Sequence, residues 1–334
     1  MEKRTLLAIA ISLGILLVWD YFFIKTNKSE EPVKPQVKQE APLTPVQTPA
    51  PQVTVAQSPP VTQGLSQEKL FFIETPLYRA TWSTRGGVLT SLQLKNFKVS
   101  MAPGSKTVNV INTPMPFLGL SDKADDAGLI YTISTSGKTT SGGSPSEVIF
   151  TSQAGQGIIL KKIYTIDPST YTIGCTMIVE NQTPGAFTVD MHLSMDGTYA
   201  IDAEQSGYAF EGPALFSDKH LEEFKVDKVD KVGVYREFPG TTHWFGFEDK
   251  YFLNTMMPKM PVDSRVTIKR ISEKKIRMVY RAAPAQVKPG ESLARDYLIF
   301  AGPKELKILK AVGFNLNKAL DFGFFDIIAK PLLI

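Results

Sequence analysis

Alternation of apolar and polar side chains constrains this chain more than any other feature. In YTIGCTMIVE, residues 171–180, Tyr171, Ile173, Cys175, Met177 and Val179 share one parity, while Thr172, Thr176 and Glu180 take the other. After the turn signal NQTPG, AFTVDMHLSMD repeats the scheme with Phe187, Val189, Met191, Leu193 and Met195. A period of two puts successive side chains on opposite faces of a strand, which a helix cannot do. Upstream, IILKKIYTI ends at the turn residues DPST, so these runs predict an antiparallel meander with one buried and one wetter face. LYRATWST, VLTSLQL, SRVTIKRI, KKIRMVYRA and ESLARDYLIFA carry further strands. About fifteen short strands over 67–301, with no fixed-period repeat, predict a mainly β domain: a large antiparallel β-sandwich rather than a propeller or solenoid.

The two ends differ from this body. Residues 5–24, TLLAIAISLGILLVWDYFFI, are long enough to cross a hydrocarbon layer of roughly 30 Å as a helix. Residues 1–4 precede them with Lys3 and Arg4, a bias that keeps the N-terminus in the cytoplasm; Trp19 begins an aromatic belt at the far side. Bulky residues follow in place of an Ala-x-Ala site, so an uncleaved signal anchor is expected and the remainder is exported. Residues 25–66 hold eight prolines among Gln, Thr, Val and Lys, the composition of an extended tether.

From Gly302 the pattern turns helical. Pro303 suits a first helical position. Leu306, Leu309, Val312, Leu316, Ala319 and Leu320 fall within an arc of about 140°, with Lys307, Lys310, Asn317 and Lys318 beside it. Residues 302–321 are therefore expected to form an amphipathic helix lying in a membrane interface, with Leu306, Leu309 and Leu316 towards the acyl chains and Lys307, Lys310 and Lys318 at the phosphates. The competing expectation is a helix packed on its own domain. Residues 322–334, FGFFDIIAKPLLI, are apolar but too short to span, and read as the start of a second membrane segment.

Other constellations carry less. A net charge of +4 over 334 residues gives no basis for nucleic-acid binding. Gly137-Lys138-Thr139 imitates a phosphate loop, yet Thr132 stands where the leading glycine is required, and no helix follows. His192, His220 and His243 lack helical metal-pair spacing, so no metal or cofactor is expected. His192 falls on the polar parity of its strand and is expected to be exposed. THWFGFEDKYFLNTMMP, residues 242–258, is expected to be core, and the Asn181-Gln182-Thr183 sequon reads equally as a turn. SDKADDAGL, SGKTTSGGSPS and SDKHLEEFKVDKVDK are expected to be surface connections, the last a short helix or a solvated hairpin. One enzymatic alternative stands, a tethered mutarotase-like enzyme or sugar-binding module, in which His220 or His243 pairs with Glu222, Glu223 or Glu248 as acid and base.

MEKRTLLAIAISLGILLVWDYFF, the Pro-rich tether, YLIFAGPKELKILK and LDFGFFDIIAKPLLI together resemble the YidC membrane-protein insertase family of Gram-negative-type bacteria. WSTRGGVLTSLQLKNF and HWFGFEDKYF resemble stretches of that family's periplasmic domain. The resemblance implies a β-supersandwich followed by an interface helix, located at the bacterial inner membrane. It implies assistance to the insertion and folding of membrane proteins without chemical catalysis. The implied partners are nascent membrane proteins, the lipid bilayer and the Sec translocon with its SecD and SecF accessory proteins. The family's working groove, with its arginine, belongs to five later membrane helices that this sequence does not contain. No residue here inherits that role, and the chain alone is expected not to insert proteins.

Overall fold

The computed structural model describes residues 67–121, 124–139, 145–198, 210–225 and 235–320. Lys3, Arg4 and Trp19, the apolar run 5–24, the tether 25–66 and the segment 322–334 lie outside the described residues.

Among the described residues, twenty strands form. The first group is β1 (Leu70–Glu74), β2 (Tyr78–Ser83), β3 (Val88–Lys98), β4 (Thr107–Ile111), β5 (Phe117–Ser121), β6 (Ala124–Asp125) and β7 (Thr132–Thr139). Then come β8 (Pro145–Gln153), β9 (Ile158–Ile166), β10 (Thr172–Asn181), β11 (Phe187–Val189), β12 (His192–Thr198), β13 (Gly212–Ser217) and β14 (His220–Glu223). The last are β15 (Tyr235–Glu248), β16 (Phe252–Pro258), β17 (Asp263–Ser272), β18 (Lys275–Ala282), β19 (Ala285–Val287) and β20 (Ser292–Pro303). A helix α1 (Leu306–Val312) and a 3₁₀ turn (Leu316–Ala319) complete the order.

Every named pairing is antiparallel, and β15 makes the sandwich. Its first half, from Tyr235 to Thr241, pairs with β17, in the layer ordered β6-β5-β12-β18-β17. Its second half, from Phe245 to Glu248, pairs with β16 and also with β13, in the layer β16-β20-β10-β9-β8-β7. The change of partner falls between Thr241 and Phe245, just after Gly240, whose φ of 137° favours glycine. One strand that changes sheets at a corner is how two layers share an edge. β1 to β4 form a separate four-stranded sheet. One continuous apolar cluster lies beneath these sheets, from Ile73 and Trp82 to Trp244, Phe300 and Leu316.

Alternation located the core but not the neighbours. Tyr171, Ile173, Cys175, Met177 and Val179 are all buried, and burial pushes the Cys175 thiol up to about 12. The expected meander nevertheless stops at β10, which lies between β9 and β20; β11 pairs with β19, and β12 lies between β5 and β18. Asn181 redirects the chain. Its Nδ2 donates to Gly185 O (2.8 Å) and Val287 O (2.9 Å), and its Oδ1 accepts from Thr183 N (2.9 Å). The sequon nitrogen is thus buried and engaged in a turn.

Two further expectations are corrected. His192 is buried, because Gly119 stands opposite it on β5: a Cβ there would come within 2.1 Å of the imidazole. SDKADDAGL is not all surface. Asp126 is buried, 2.7 Å from Lys162 Nζ, with the two side chains 1% and 0% exposed. Lys162 also donates to Gly86 O (2.6 Å) and Pro116 O (2.9 Å), while Asp126 accepts from Tyr131 Oη (2.6 Å) and Leu118 N (2.8 Å). Gly137 to Thr139 lie on strand β7, not in a loop before a helix.

Candidate functional site

Where β20 ends, three elements converge. The first is the β15–β16 turn, whose shape Asp249 sets: its Oδ1 accepts from Tyr251 N and Phe252 N, both at 2.7 Å. An Asp that satisfies the backbone two and three residues on is a common way to hold a tight turn. The second is the β3–β4 hairpin, fastened by Phe97 edge-to-face on Phe252, with ring centres 5.5 Å apart. The third is the exit of β20 into α1.

Lys304 joins these elements. Its backbone N donates to Tyr251 O (2.7 Å), and its Nζ reaches Glu248 Oε2 (2.7 Å) and Asp249 O (3.3 Å). Glu248 is buried, its Oε1 receives no donor, and the Glu223 carboxylate lies close by. Burial is the largest influence and pushes the Glu248 carboxyl up to about 7; Lys304 opposes this and Glu223 adds to it. Beside it, Asp196 is bound by Arg277 (2.7 and 3.0 Å) and by Lys275 (2.8 Å). Burial raises the Asp196 carboxyl, but these cations outweigh it and hold it below the usual range. Glu248, Asp196, Asn254, Thr113 and Asn112 line a polar cleft of about 250 Å³, and Phe97, Val99, Tyr251 and Lys304 line a neighbouring one of about 660 Å³.

The expected interface helix is shorter and more anchored than its sequence pattern. Pro303 closes β20, pairing with Phe252, and α1 begins at Leu306 with Glu305 as its N-cap. Gly313, with φ of 85°, ends α1, and the 3₁₀ turn comes next. Lys307, Lys310 and Lys318 are exposed and Leu306 is half-buried. Leu309 and Leu316 are both fully buried in the domain core, so the packed-helix alternative holds for these two side chains. The 3.6-residue period carries no information on which surface the apolar stripe meets.

The family description "YidC periplasmic domain" matches residues 71–334, from β1 to the last residue. The chain belongs to the YidC periplasmic domain family. Along its whole length it is similar to proteins named "Membrane protein insertase YidC": 31% identical over 340 residues to that of Pelobacter propionicus, covering 62% of the relative, and 31% over 346 residues to that of Geobacter metallireducens, covering 63%. The chain therefore spans less than two thirds of the length of these relatives. It is also similar to a galactose mutarotase related enzyme of Lactobacillus acidophilus, with a TM-score of 0.46 and 10% identity over 70% of this chain and 97% of that one. A galactose mutarotase-like protein of Lactobacillus casei gives a TM-score of 0.46 and 11% identity over 70% of this chain and 100% of that one.

Within this family member, His243 and Glu248, one of the acid–base pairs considered from sequence, do not come together. His220 pairs with Ser217 at one end of the β13–β14 hairpin, and the His243 ring lies 5.6 Å from that of Phe216. Glu248 pairs with Gly212 at the other end, five residues along β15 from His243, or roughly 17 Å at strand rise. Of the carboxylates considered, Glu223 does come to Glu248, and Glu222 is exposed. The charged run around them forms a hairpin as far as it is described, not a helix. Sequence reasoning missed Lys304, Lys162 and Asp126. Lys162 alone left a signal, since it shares the parity of Leu160, Tyr164 and Ile166, all buried.

Proposed function

We propose that this chain is the membrane-anchored periplasmic part of an inner-membrane protein insertase, acting on nascent membrane proteins without a chemical step. The observation that carries this reading is the family match over 71–334 within an end-to-end similarity to insertases. In this reading residues 5–24 anchor the chain with its N-terminus in the cytoplasm, flanked by Lys3, Arg4 and Trp19. The sandwich faces the periplasm, where it offers a contact surface to the Sec translocon and to SecD and SecF. Lys307, Lys310 and Lys318 meet phospholipid headgroups with Leu306, while Leu309 and Leu316 hold the helical segment to the domain.

In this reading the groove that would carry polar parts of a client belongs to the remaining length of the relatives, of which this chain covers 62%. The 334 residues alone are therefore expected to leave insertion unrestored in insertase-depleted cells, whereas the same residues joined to the remaining helices restore it. Photo-crosslinks from the sandwich surface to translocon components are expected in the joined protein, and their absence would overturn that contact. Insertion restored by the 334 residues alone would overturn the division of labour.

A further inference from the structure

The rim of the junction displays apolar side chains that folding does not use. Val99 and Met101, at the β3–β4 hairpin tip, are 70% and 103% exposed, and Tyr251, on the β15–β16 turn, is 61% exposed. These are not loose ends. Ser100 N donates to Ser105 Oγ (2.9 Å) and Ser105 N to Ala102 O (3.1 Å), which holds the hairpin tip closed on itself. Tyr251 is fixed from both sides by Asp249 and Lys304. Phe97 against Phe252 couples the two turns. The tip also stands clear: a Cβ at Gly104 would meet no atom within 4 Å.

The charge around the rim matches an anionic surface. Lys98, Lys106 and Lys250 are exposed, and Lys250 Nζ lies 4.9 Å from the centre of the Tyr251 ring. Glu211, Asp249 and Glu305 line the cleft between the turns, where Asp249 is occupied with its own turn. The same cleft is walled by Pro303 and Lys304, immediately before α1 with its exposed Lys307 and Lys310. From there the sequence runs into FGFFDIIAKPLLI. Lysines around an aromatic and two exposed apolar side chains, beside the end of β20 that leads into α1, have the chemistry of interfacial anchors.

We propose that the β3–β4 hairpin tip and the β15–β16 turn form a second membrane-contact surface: Val99, Met101 and Tyr251 enter the interfacial layer of an anionic bilayer while Lys98, Lys106 and Lys250 meet its phosphates. The proposal rests on the reading of the chain as membrane-anchored, and adds to the helical segment a contact made by strands distant in sequence. It would fix the tilt of the sandwich at three points instead of one.

The test uses the full chain in vesicles of phosphatidylcholine with a minority of phosphatidylglycerol. Cys175 is buried, so Met101→Cys, Ile11→Cys and Lys274→Cys each supply one accessible thiol for a polarity-sensitive dye. Brominated lipid is expected to quench the dye at 101 at least about twofold more than at 274, and Lys98→Glu with Lys250→Glu to remove roughly half of that quenching. Quenching at 101 no greater than at 274, with 11 still quenched, overturns the second contact and leaves the anchor standing. Loss of quenching at 11 overturns the anchor and the contact together. Protection of 101 from iodide without lipid quenching means that a second copy covers the patch, which also overturns it. Quenching at 101 that ignores the charge reversal overturns the role of the lysines.

Discussion

Two buried lysine–carboxylate pairs in this domain have the same N–O distance, 2.7 Å, and opposite surroundings. Around Lys162 and Asp126 donors and acceptors are well matched: two carbonyls accept from the lysine, and a phenol and a backbone N–H donate to the carboxylate. Around Lys304 and Glu248 the match is incomplete, because one carboxylate oxygen has no donor and a second glutamate stands near. The first pair ties β9 to the chain around β3 and β5, deep in the core. The second sits at the lip of a cleft and ties the exit of β20 to the turn that carries Tyr251. A satisfied buried pair is structural by construction, whereas a half-satisfied one can change its protonation without collapse of the fold.

That contrast can be broken most directly at Lys162. Lys162→Met leaves Asp126 buried without its cation and is expected to lower stability by about 3–5 kcal/mol in urea unfolding. A loss below about 1 kcal/mol would show that the pair is not the clamp its geometry suggests.

A second comparison is in pH. Glu248 has a folded pKa of about 7 against 4.5 when unperturbed. The folded state therefore holds its proton over a range in which the unfolded state has lost it. Its contribution to stability is present below about 4.5 and falls as pH rises through about 7, by at most about 3 kcal/mol. Glu248→Gln is expected to flatten stability against pH between these limits relative to the unchanged protein, as read from urea midpoints. An unchanged slope would mean that the carboxyl is ionised in the fold throughout.

The smallest expected effect sharpens the same point. Lys304→Met is expected to lower stability by only about 1–2 kcal/mol near neutral pH, because Glu248 can take up a proton when its partner is lost. A loss as large as that of Lys162→Met would erase the distinction between the two pairs.

The fold was legible where physics is local. Period-two parity marked the buried faces of β9 and β10, since a side chain's face depends only on its place along the strand, whereas β12 is buried on both parities. Neighbour choice was not, because the apolar pattern of β10 suits β20 as well as it suits β11. The same limit applied to His192, whose burial depends on a glycine 73 positions earlier in the chain. It applied again to Leu309 and Leu316, whose stripe fits a membrane or a core equally well.

Sequence by itself therefore determined the class of the domain, the place of its apolar ends and, through whole-chain similarity, its family. Tertiary structure alone decided which of those apolar side chains are already covered, which lysine meets which carboxylate, and which rim is left displayed. The physical reason is that patterning along a chain records solvent exposure one residue at a time. Pairing energies, burial of charge and shared clefts arise only when distant segments are brought within a few ångströms of one another.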